Sequence, residues 1–552
     1  MKQLTSLQKK EKKDYKILII VPRYHFTNKR NYLYMFPLGL AYISSVLKKN
    51  YYEVDCLNLN HCDGTIKEII ENTLNKKKYD FIGTGNNALG YNNTRIIIDI
   101  SKNHPSKPKL ILGGPIITTN PELYFKDLNI DFAVLGEGEE TIIELLESLE
   151  KNKDLSKVNG IAYKDNEKII ITNPRVPLED LDSMPYPDFE AFGFEEYLDN
   201  LRTNLFHNYN PFDNPRTYPI LTSRACPFQC TFCYHEGKYR VRSMDKVLEE
   251  LDLMIKKYKI NIILVYDDCF SVNRERVIQF CKGIKKIQIE ISWKLKWSVQ
   301  LIVNDVDPEM LRIMKDAGCD TVSYGFESYS PTVLKSMKKP ITPKQIDFAF
   351  NETLKAGLAV HANFIFGDVA ETKETAKQTL DYWKKKGKGH IFLDFIQPYP
   401  GSEIYKHCLK KGLIKNEINF VKNFSQSKVL NMTNNMSDKD FKKLADEVVG
   451  ATGNYCKIIK PLSVVKKGYQ TYDVKVKCPF CKEKINYKNC SIENPLSYSF
   501  NLVCRNCHMR FFVANFLRRL AYQHHSKIRV LRSYQIRALN YLKKLRIKLS
   551  NK

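Results

Sequence analysis

The residues best suited to chemistry stand in the stretch from Ser223 to His235, where Cys226, Cys230 and Cys233 are spaced C-x3-C-x2-C just after the apolar run Tyr218 to Thr222. Soft thiolates suit iron–sulfur clusters, and cysteines this close let a short loop wrap one cube. Three thiolates serve three of the four irons. The remaining iron is open to a substrate or cofactor, by the logic that separates an open catalytic metal site from a closed structural one. Positions 226, 230 and 233 would also make the buried stripe of a helix, where free cysteine acts as a small hydrophobe. Pro227 inside that stripe argues against it, and the β-type run before it sets the cysteines at a strand-to-loop junction.

A second cysteine group has a different character. Cys478 and Cys481, then Cys504 and Cys507, form two C-x2-C knuckles. That pattern reads as a zinc ribbon, in which four thiolates close a tetrahedral structural site and stabilise a module too small for its own core. An auxiliary iron–sulfur cluster with Cys490 as an extra ligand fits the same spacing. The chain holds 15 cysteines, an odd number, clustered in metal-ligand spacings. Metal ligation in a reducing compartment explains them better than disulfides. No apolar run approaches the roughly 18 residues of a membrane span, and Met1 to Tyr15 is lysine-rich without the apolar centre of a signal peptide. The expected location is cytoplasmic.

A chain of 552 residues exceeds one core and implies several domains, and an α/β class is expected throughout. Residues 1–14 form a basic tail. In 15–155, apolar β-type runs at Lys16–Val21, Glu53–Leu57, Phe81–Gly85, Lys109–Leu112 and Phe132–Leu135 alternate with helical patterns such as Leu38–Lys48, Thr65–Leu74 and Glu139–Leu149. Nearly continuous hydrophobic strands separated by helices predict a Rossmann-like (flavodoxin-like) parallel sheet covered on both faces, with ligands bound beyond the strands' carboxyl ends. Gly113, Gly114, Thr118, Gly136 and Glu137 stand at those ends. Residues 156–217 read as a hairpin, Gly160–Tyr163 with Lys168–Thr172, and a linker punctuated by Pro174, Pro177, Pro185 and Pro187.

From 218 to 413 a strand–helix alternation repeats about six times, which predicts a partial (β/α)6 TIM-type barrel with its chemistry at the C-terminal strand ends. The residues there are polar: Asp267 and Asp268, Gln300 and Asn304, Glu327 and Ser328, Gly367 and Asp368, Gln397 and Tyr399. A helical extension over 414–475, the ribbon-like module over 476–513 and a basic amphipathic tail over 514–552 complete the chain.

The order of these pieces resembles a known enzyme group. Pro37-Leu-Gly39, Gly113-Gly-Pro115 with Thr118, and Gly136 to Thr141 lie ahead of the three cysteines, as in the cobalamin-binding domain that precedes the barrel of radical S-adenosylmethionine (radical SAM) enzymes. Val265 to Phe270, Trp297 to Gln300, Met314 to Cys319, Tyr324 to Ser328, Phe366 to Thr372 and Pro398 to Glu403 are similar to that barrel's motifs, in the same order. The D-x-H-x-x-G cobalt-ligand motif is absent, and Ile116 falls where many relatives carry histidine. Gly367 to Glu371 departs from the usual G-D-P-G-E.

The resemblance implies a [4Fe–4S] cluster on Cys226, Cys230 and Cys233 that cleaves S-adenosylmethionine to a 5′-deoxyadenosyl radical. Phe232 would pack on the adenine and Glu327 would face the methionyl amino group, with Asp268, Gln300 and Ser328 along the sulfonium or ribose. Gly113, Gly114, Thr118, Gly136 and Glu137 would contact cobalamin, which delivers methyl to an unactivated carbon or phosphorus centre. A flavodoxin or ferredoxin would supply electrons, and the substrate would be a small molecule, lipid or peptide. Two readings compete. One is a radical SAM enzyme of another class, cyclising, rearranging or RNA methylthiotransferase-like, whose first domain binds no cobalamin. The methylthiotransferases carry three further cluster cysteines there, against only Cys56 and Cys62 here. The other is a non-enzymatic zinc-ribbon nucleic-acid-binding protein.

A net charge of +26 is compatible with phosphate binding. Its lysines, however, are scattered through helices, as at Asn75 to Lys78 and Trp383 to Lys386, which reads as solvated faces. Nucleic acid is therefore not the expected partner. The tail after Leu517 has no acidic residue and an apolar stripe, so it would lie on an anionic membrane or pack that stripe on the protein.

Overall fold

The computed structural model describes residues 13–24, 28–166, 168–424, 429–455 and 457–523. Strand β1 (Lys16–Val21) is exposed only at its first residue, as an aliphatic strand covered on both faces must be. Helix α1 (Leu38–Lys49), β2 (Glu53–Asn58), α2 (Ile66–Lys76), β3 (Phe81–Gly85), α3 (Tyr91–Asn103), β4 (Lys109–Gly113), β5 (Phe132–Val134) and α4 (Glu139–Glu150) follow in alternation. The strands pair in parallel in the order β2-β1-β3-β4-β5. The hairpin β6 (Ile161–Asp165) and β7 (Lys168–Ile171) adds antiparallel to β5. It thus completes the first sheet, and the linker proper begins after it.

That linker is packed, not loose. Phe189, Phe192, Phe194 and Tyr197 gather around Phe36, and Phe189 also meets Tyr218 at the start of the barrel. One continuous apolar core therefore runs from Ile17 through the linker into the barrel.

The barrel strands are β8 (Thr217–Ile220), β9 (Ile262–Val265), β10 (Lys296–Gln300), β11 (Cys319–Glu327), β12 (Ala359–Phe366) and β13 (Ile391–Phe395), all parallel and in sequence order. The row β8 to β13 forms one open six-stranded sheet, as the repeat predicts. Side chains alternate along each strand. Val322, Tyr324, Ala362 and Phe364 are buried against the outer helices, so their neighbours Ser323, Gly325, His361 and Asn363, paired in register, face the lumen.

After α5 (Asp438–Tyr455) come β14 (Ile458–Ile459), β15 (Ser463–Gly468), β16 (Thr471–Lys477), β17 (Lys484–Ser491), β18 (Ser499–Val503), β19 (Arg510–Ala514) and α6 (Phe516–Gln523). They form two three-stranded sheets, β15-β16-β17 and β14-β19-β18. The module is bonded to the linker by Thr203 Oγ1 to the Lys488 carbonyl at 2.6 Å and by Arg505 to Asp213 at 2.8 Å. It also reaches the barrel edge, where Arg510 Nη2 donates to the His390 carbonyl at 3.1 Å. The basic tail read into 514–552 lies, beyond Gln523, outside the described residues. Among those described, no helix is long and apolar enough to cross a membrane.

Candidate active site

The cysteine loop is anchored before it begins. Asp267, at the end of β9, accepts bonds from Thr222 N at 2.6 Å, Thr222 Oγ1 at 2.5 Å and Ser223 Oγ at 2.7 Å. Burial raises its carboxyl above the usual range, and these donors pull it back. Ala225 then takes a left-handed backbone, φ 64°. That region is uncommon for a residue with a side chain and is retained where the surroundings over-determine it. Thr231 fixes the middle of the loop, donating to the Met337 carbonyl at 3.1 Å and accepting from Ile404 N at 2.9 Å.

Cys226, Cys230 and Cys233 consequently line one cavity of about 160 Å³, together with Phe232, Asp268, Gln300 and Glu327. Gln300 Nε2 donates to the Asp268 carbonyl at 3.0 Å, bracing that strand end. The thiol of Cys269 lies 3.3 Å from Cys226 Sγ and pulls the Cys226 thiol down to about 6. Three sulfurs converging on one small cavity form a donor set that fits an iron–sulfur cube.

Glu327 faces the cavity because of a backbone irregularity. The pairing of β11 with β12 shifts between Gly325 and Glu327, and Glu327 itself has φ 58°. Its carboxylate sits 3.1 Å from Lys339 Nζ. Burial alone would lower the Lys339 ammonium, but Glu327 and the nearby cysteines hold it above its ordinary value. A Cβ on Gly325 would fall 2.1 Å from Glu327 Oε1, so any larger residue there would displace the carboxylate from this position. The same shift corrects the expectation for Ser328. Its side chain is buried away from the cavity, 3.2 Å from Thr379 Oγ1, and accepts from Ser330 N at 3.1 Å. Ser328 builds the turn after the strand.

A larger cavity, about 690 Å³, lies between the carboxyl ends of the first sheet and the barrel mouth. Its floor is glycine backbone. A Cβ on Gly85 would come 3.0 Å from the Gly113 carbonyl, and one on Gly114 would come 3.1 Å from the Asn86 carbonyl. Ile17, Leu40, Ile43 and Val134 line an apolar slot leading inward. Gly113, Gly114, Gly136 and Glu137 reach this cavity. Thr118 does not: its Oγ1 donates to the Gly114 carbonyl and accepts from Gly136 N, both at 3.1 Å, and so ties the two glycine loops together. Ile116 is buried in the core.

Glu137 is shared with the barrel domain, 2.7 Å from Arg240 and 3.4 Å from Arg224. Arg224 also pairs with Glu139 at 2.5 Å and lies over the Tyr42 ring at 5.5 Å. Burial raises the Glu137 carboxyl and the two arginines outweigh it, leaving it below the ordinary range. The two cavities meet at Asp268, which lines both, and burial raises its carboxyl.

The second cysteine group also converges. Cys478 Sγ lies 3.7 Å from Cys507 Sγ and Cys481 Sγ lies 3.6 Å from Cys504 Sγ, with all four within 4.8 Å of one another. Zinc–sulfur bonds near 2.3 Å give a tetrahedron edge of about 3.8 Å, so the set fits a four-thiolate metal. Cys490 is not among the four. It is buried in the module core with its thiol on the Tyr487 carbonyl at 3.7 Å.

Sequence reasoning overlooked Cys269, Lys339 and Arg224. Each becomes visible only through a partner distant in the chain. Cys269 alone carried a signal, as a cysteine directly after the strand-end pair Asp267 and Asp268.

Two family profiles match the chain: the radical SAM superfamily over residues 220–382 and the B12 binding domain over residues 28–146. An uncharacterized methyltransferase of Pyrococcus horikoshii is 31% identical over 388 residues, 68% of this chain and 79% of the relative. The anaerobic magnesium-protoporphyrin IX monomethyl ester cyclase of Rubrivivax gelatinosus is 26% identical over 403 residues, 71% of this chain and 69% of the cyclase. The cytidylyl-2-hydroxyethylphosphonate methyltransferase of Streptomyces wedmorensis is 23% identical over 460 residues, 74% of this chain and 84% of that enzyme. The fold matches the radical S-adenosylmethionine methyltransferase TsrM of Kitasatospora setae, solved with cobalamin and a [4Fe–4S] cluster, at a TM-score of 0.57 and 16% identity over 71% of this chain and 75% of that one.

Proposed function

The chain belongs to the radical SAM enzymes that carry a B12-binding domain, and from that premise we propose that it is a cobalamin-dependent methyltransferase acting on an unactivated carbon or phosphorus centre. The observation that carries the proposal is the shared wall at Asp268, which lines both the three-cysteine cavity and the larger glycine-floored one. A methyl carrier and a radical source must both face one substrate, and two cavities that share a wall meet that need.

Bound here, an iron–sulfur cluster would supply the electron for reductive cleavage of S-adenosylmethionine, and a corrin would carry the methyl group. The remaining work falls to this chain's residues. Cys226, Cys230 and Cys233 hold the cluster. The Glu327 carboxylate, 3.1 Å from Lys339 Nζ, accepts the methionyl ammonium through charge-assisted hydrogen bonds. Phe232 offers a ring to the adenine, and Asp268 and Gln300 offer polar atoms to the ribose. Gly113, Gly114, Gly136 and the apolar slot beneath them hold the corrin, with Thr118 fixing the loops. An external reductant and a substrate complete the system; a flavodoxin or ferredoxin fits the first role, and a small molecule, lipid or peptide the second. We place the enzyme in the cytoplasm, with the basic tail able to meet an anionic membrane.

An RNA methylthiotransferase reading is not favoured. Cys56 faces Ser44 Oγ at 3.6 Å and Cys62 donates to the Asn58 carbonyl at 3.5 Å, with no third cysteine in that domain.

The test is anaerobic reconstitution followed by iron, sulfide and corrin analysis, then incubation with reductant, S-adenosylmethionine and a broad substrate panel. The expected products are 5′-deoxyadenosine and S-adenosylhomocysteine, with the former lost in Cys226→Ala. Protein that takes up iron and corrin yet forms neither product would refute the proposal.

A further inference from the structure

We propose that Cys269 donates a hydrogen bond to the Cys226 thiolate and thereby sets the reduction potential of the cluster that Cys226 helps to hold. The inference rests on the cluster reading above and adds a residue outside its three ligands.

The placement of Cys269 is rigid. Its neighbour Phe270 is buried against Phe280 and Trp297, with ring centroids 5.2 Å and 6.4 Å away. Asp268, on the other side, is set in the cavity wall. Tyr239 Oη donates to the Cys269 carbonyl at 3.4 Å. The residue is 5% exposed, and its sulfur stands 3.3 Å from Cys226 Sγ.

That separation decides the role. Two thiolates on one tetrahedral metal stand about 3.8 Å apart, and the ribbon sulfurs of this chain stand at 3.6 and 3.7 Å. Thiolates on different irons of a cube must be farther apart still. Two sulfurs at 3.3 Å are closer than either ligand arrangement and suit a thiol–thiolate hydrogen bond, with the proton on Cys269. The proton stays on Cys269 and no covalent bond changes.

Hydrogen bonds to cluster sulfurs are among the levers that set cluster potentials. The reduced cluster carries one more negative charge, so a donor aimed at its sulfur stabilises the reduced form and raises the potential. A thiol is a weak donor in water. Cys269 is itself buried, and the lower dielectric of a buried site strengthens it.

The experiment compares the reconstituted full-length protein with Cys269→Ala and Cys269→Ser in an EPR-monitored redox titration without S-adenosylmethionine. All three should hold the same iron and sulfide. Cys269→Ala should titrate at a more negative midpoint, and Cys269→Ser, which keeps a donor, should stay nearer wild type. Electron–nuclear double resonance of the reduced cluster should find one exchangeable proton close to a thiolate in wild type, absent from Cys269→Ala. Equal midpoints in the three proteins would overturn the inference while leaving the cluster intact. So would loss of iron from Cys269→Ala, or a full cluster in Cys226→Ala, since either makes Cys269 a ligand. A wild-type chain that binds no iron would remove the cluster reading itself, and this inference with it.

Discussion

Glu327 holds its carboxylate 3.1 Å from the ammonium of Lys339, at a backbone φ of 58° and beside a break in strand register. Two charges in a largely buried site are tolerated because each neutralises the other. Removing one leaves the other uncompensated.

Lys339→Met is therefore expected to lower stability by about 3 kcal/mol, read as a drop in the thermal midpoint, with Glu327→Gln in the same background recovering part of the loss. Gly325→Ala tests the same pair without changing charge. Its Cβ would fall 2.1 Å from Glu327 Oε1 and 2.8 Å from Lys339 Nζ, so S-adenosylmethionine affinity should fall at least about tenfold, or 1.4 kcal/mol, by equilibrium binding to the reconstituted protein.

Arg224 joins the cysteine loop to the first domain through Glu139 at 2.5 Å and Glu137 at 3.4 Å. Arg224→Met strands Glu139, whereas Glu137 keeps Arg240 at 2.7 Å. Corrin affinity, followed by absorbance, should weaken by about tenfold, or 1.4 kcal/mol. Arg224→Lys should fail to restore it, because a point ammonium does not reproduce the planar fork of a guanidinium.

Glu371, 1% exposed, accepts from Gly367 N at 2.6 Å, and burial pushes its carboxyl up to about 8. Between its unfolded value near 4.3 and about 8, the native state keeps a proton that the unfolded state has lost. Its contribution to stability is thus full below that window, falls by up to about 1.4 kcal/mol per pH unit as pH rises through it, and is gone above it. Chemical denaturation at several pH values from about 5 to 8 should show a shallower decline in Glu371→Gln than in wild type.

The thiols of Cys478, Cys481, Cys504 and Cys507 should bind about one zinc ion per chain, released when a mercurial opens the thiolates in the presence of a chelator. Metal loss or Cys504→Ser should speed proteolysis within 457–523, because the metal replaces a core the module is too small to build. Corrin binding by the first domain should persist. Retained metal in Cys504→Ser, or unchanged proteolysis, would count against a four-thiolate centre.

Much of this was readable along the chain. The spacing of Cys226, Cys230 and Cys233, the aliphatic run Lys16–Val21 and the glycines at 113, 114 and 136 are local signals, because a ligand loop, a covered strand and a tight strand-end turn each depend on neighbours in sequence. They determined the parallel sheet and the open barrel, whereas the helical extension expected over 414–475 ends at Tyr455 and gives way to strands from Ile458. What the sequence could not determine are relations across the fold. Cys226 meets Cys269 across 43 residues, and Glu137 meets Arg240 across 103. The register shift that turns Glu327 into the cavity and Ser328 out of it leaves no mark in the polar pattern of a strand end. Packing alone decided which polar residues face the cavity, because periodicity specifies a face of a strand and not the partner that face will meet.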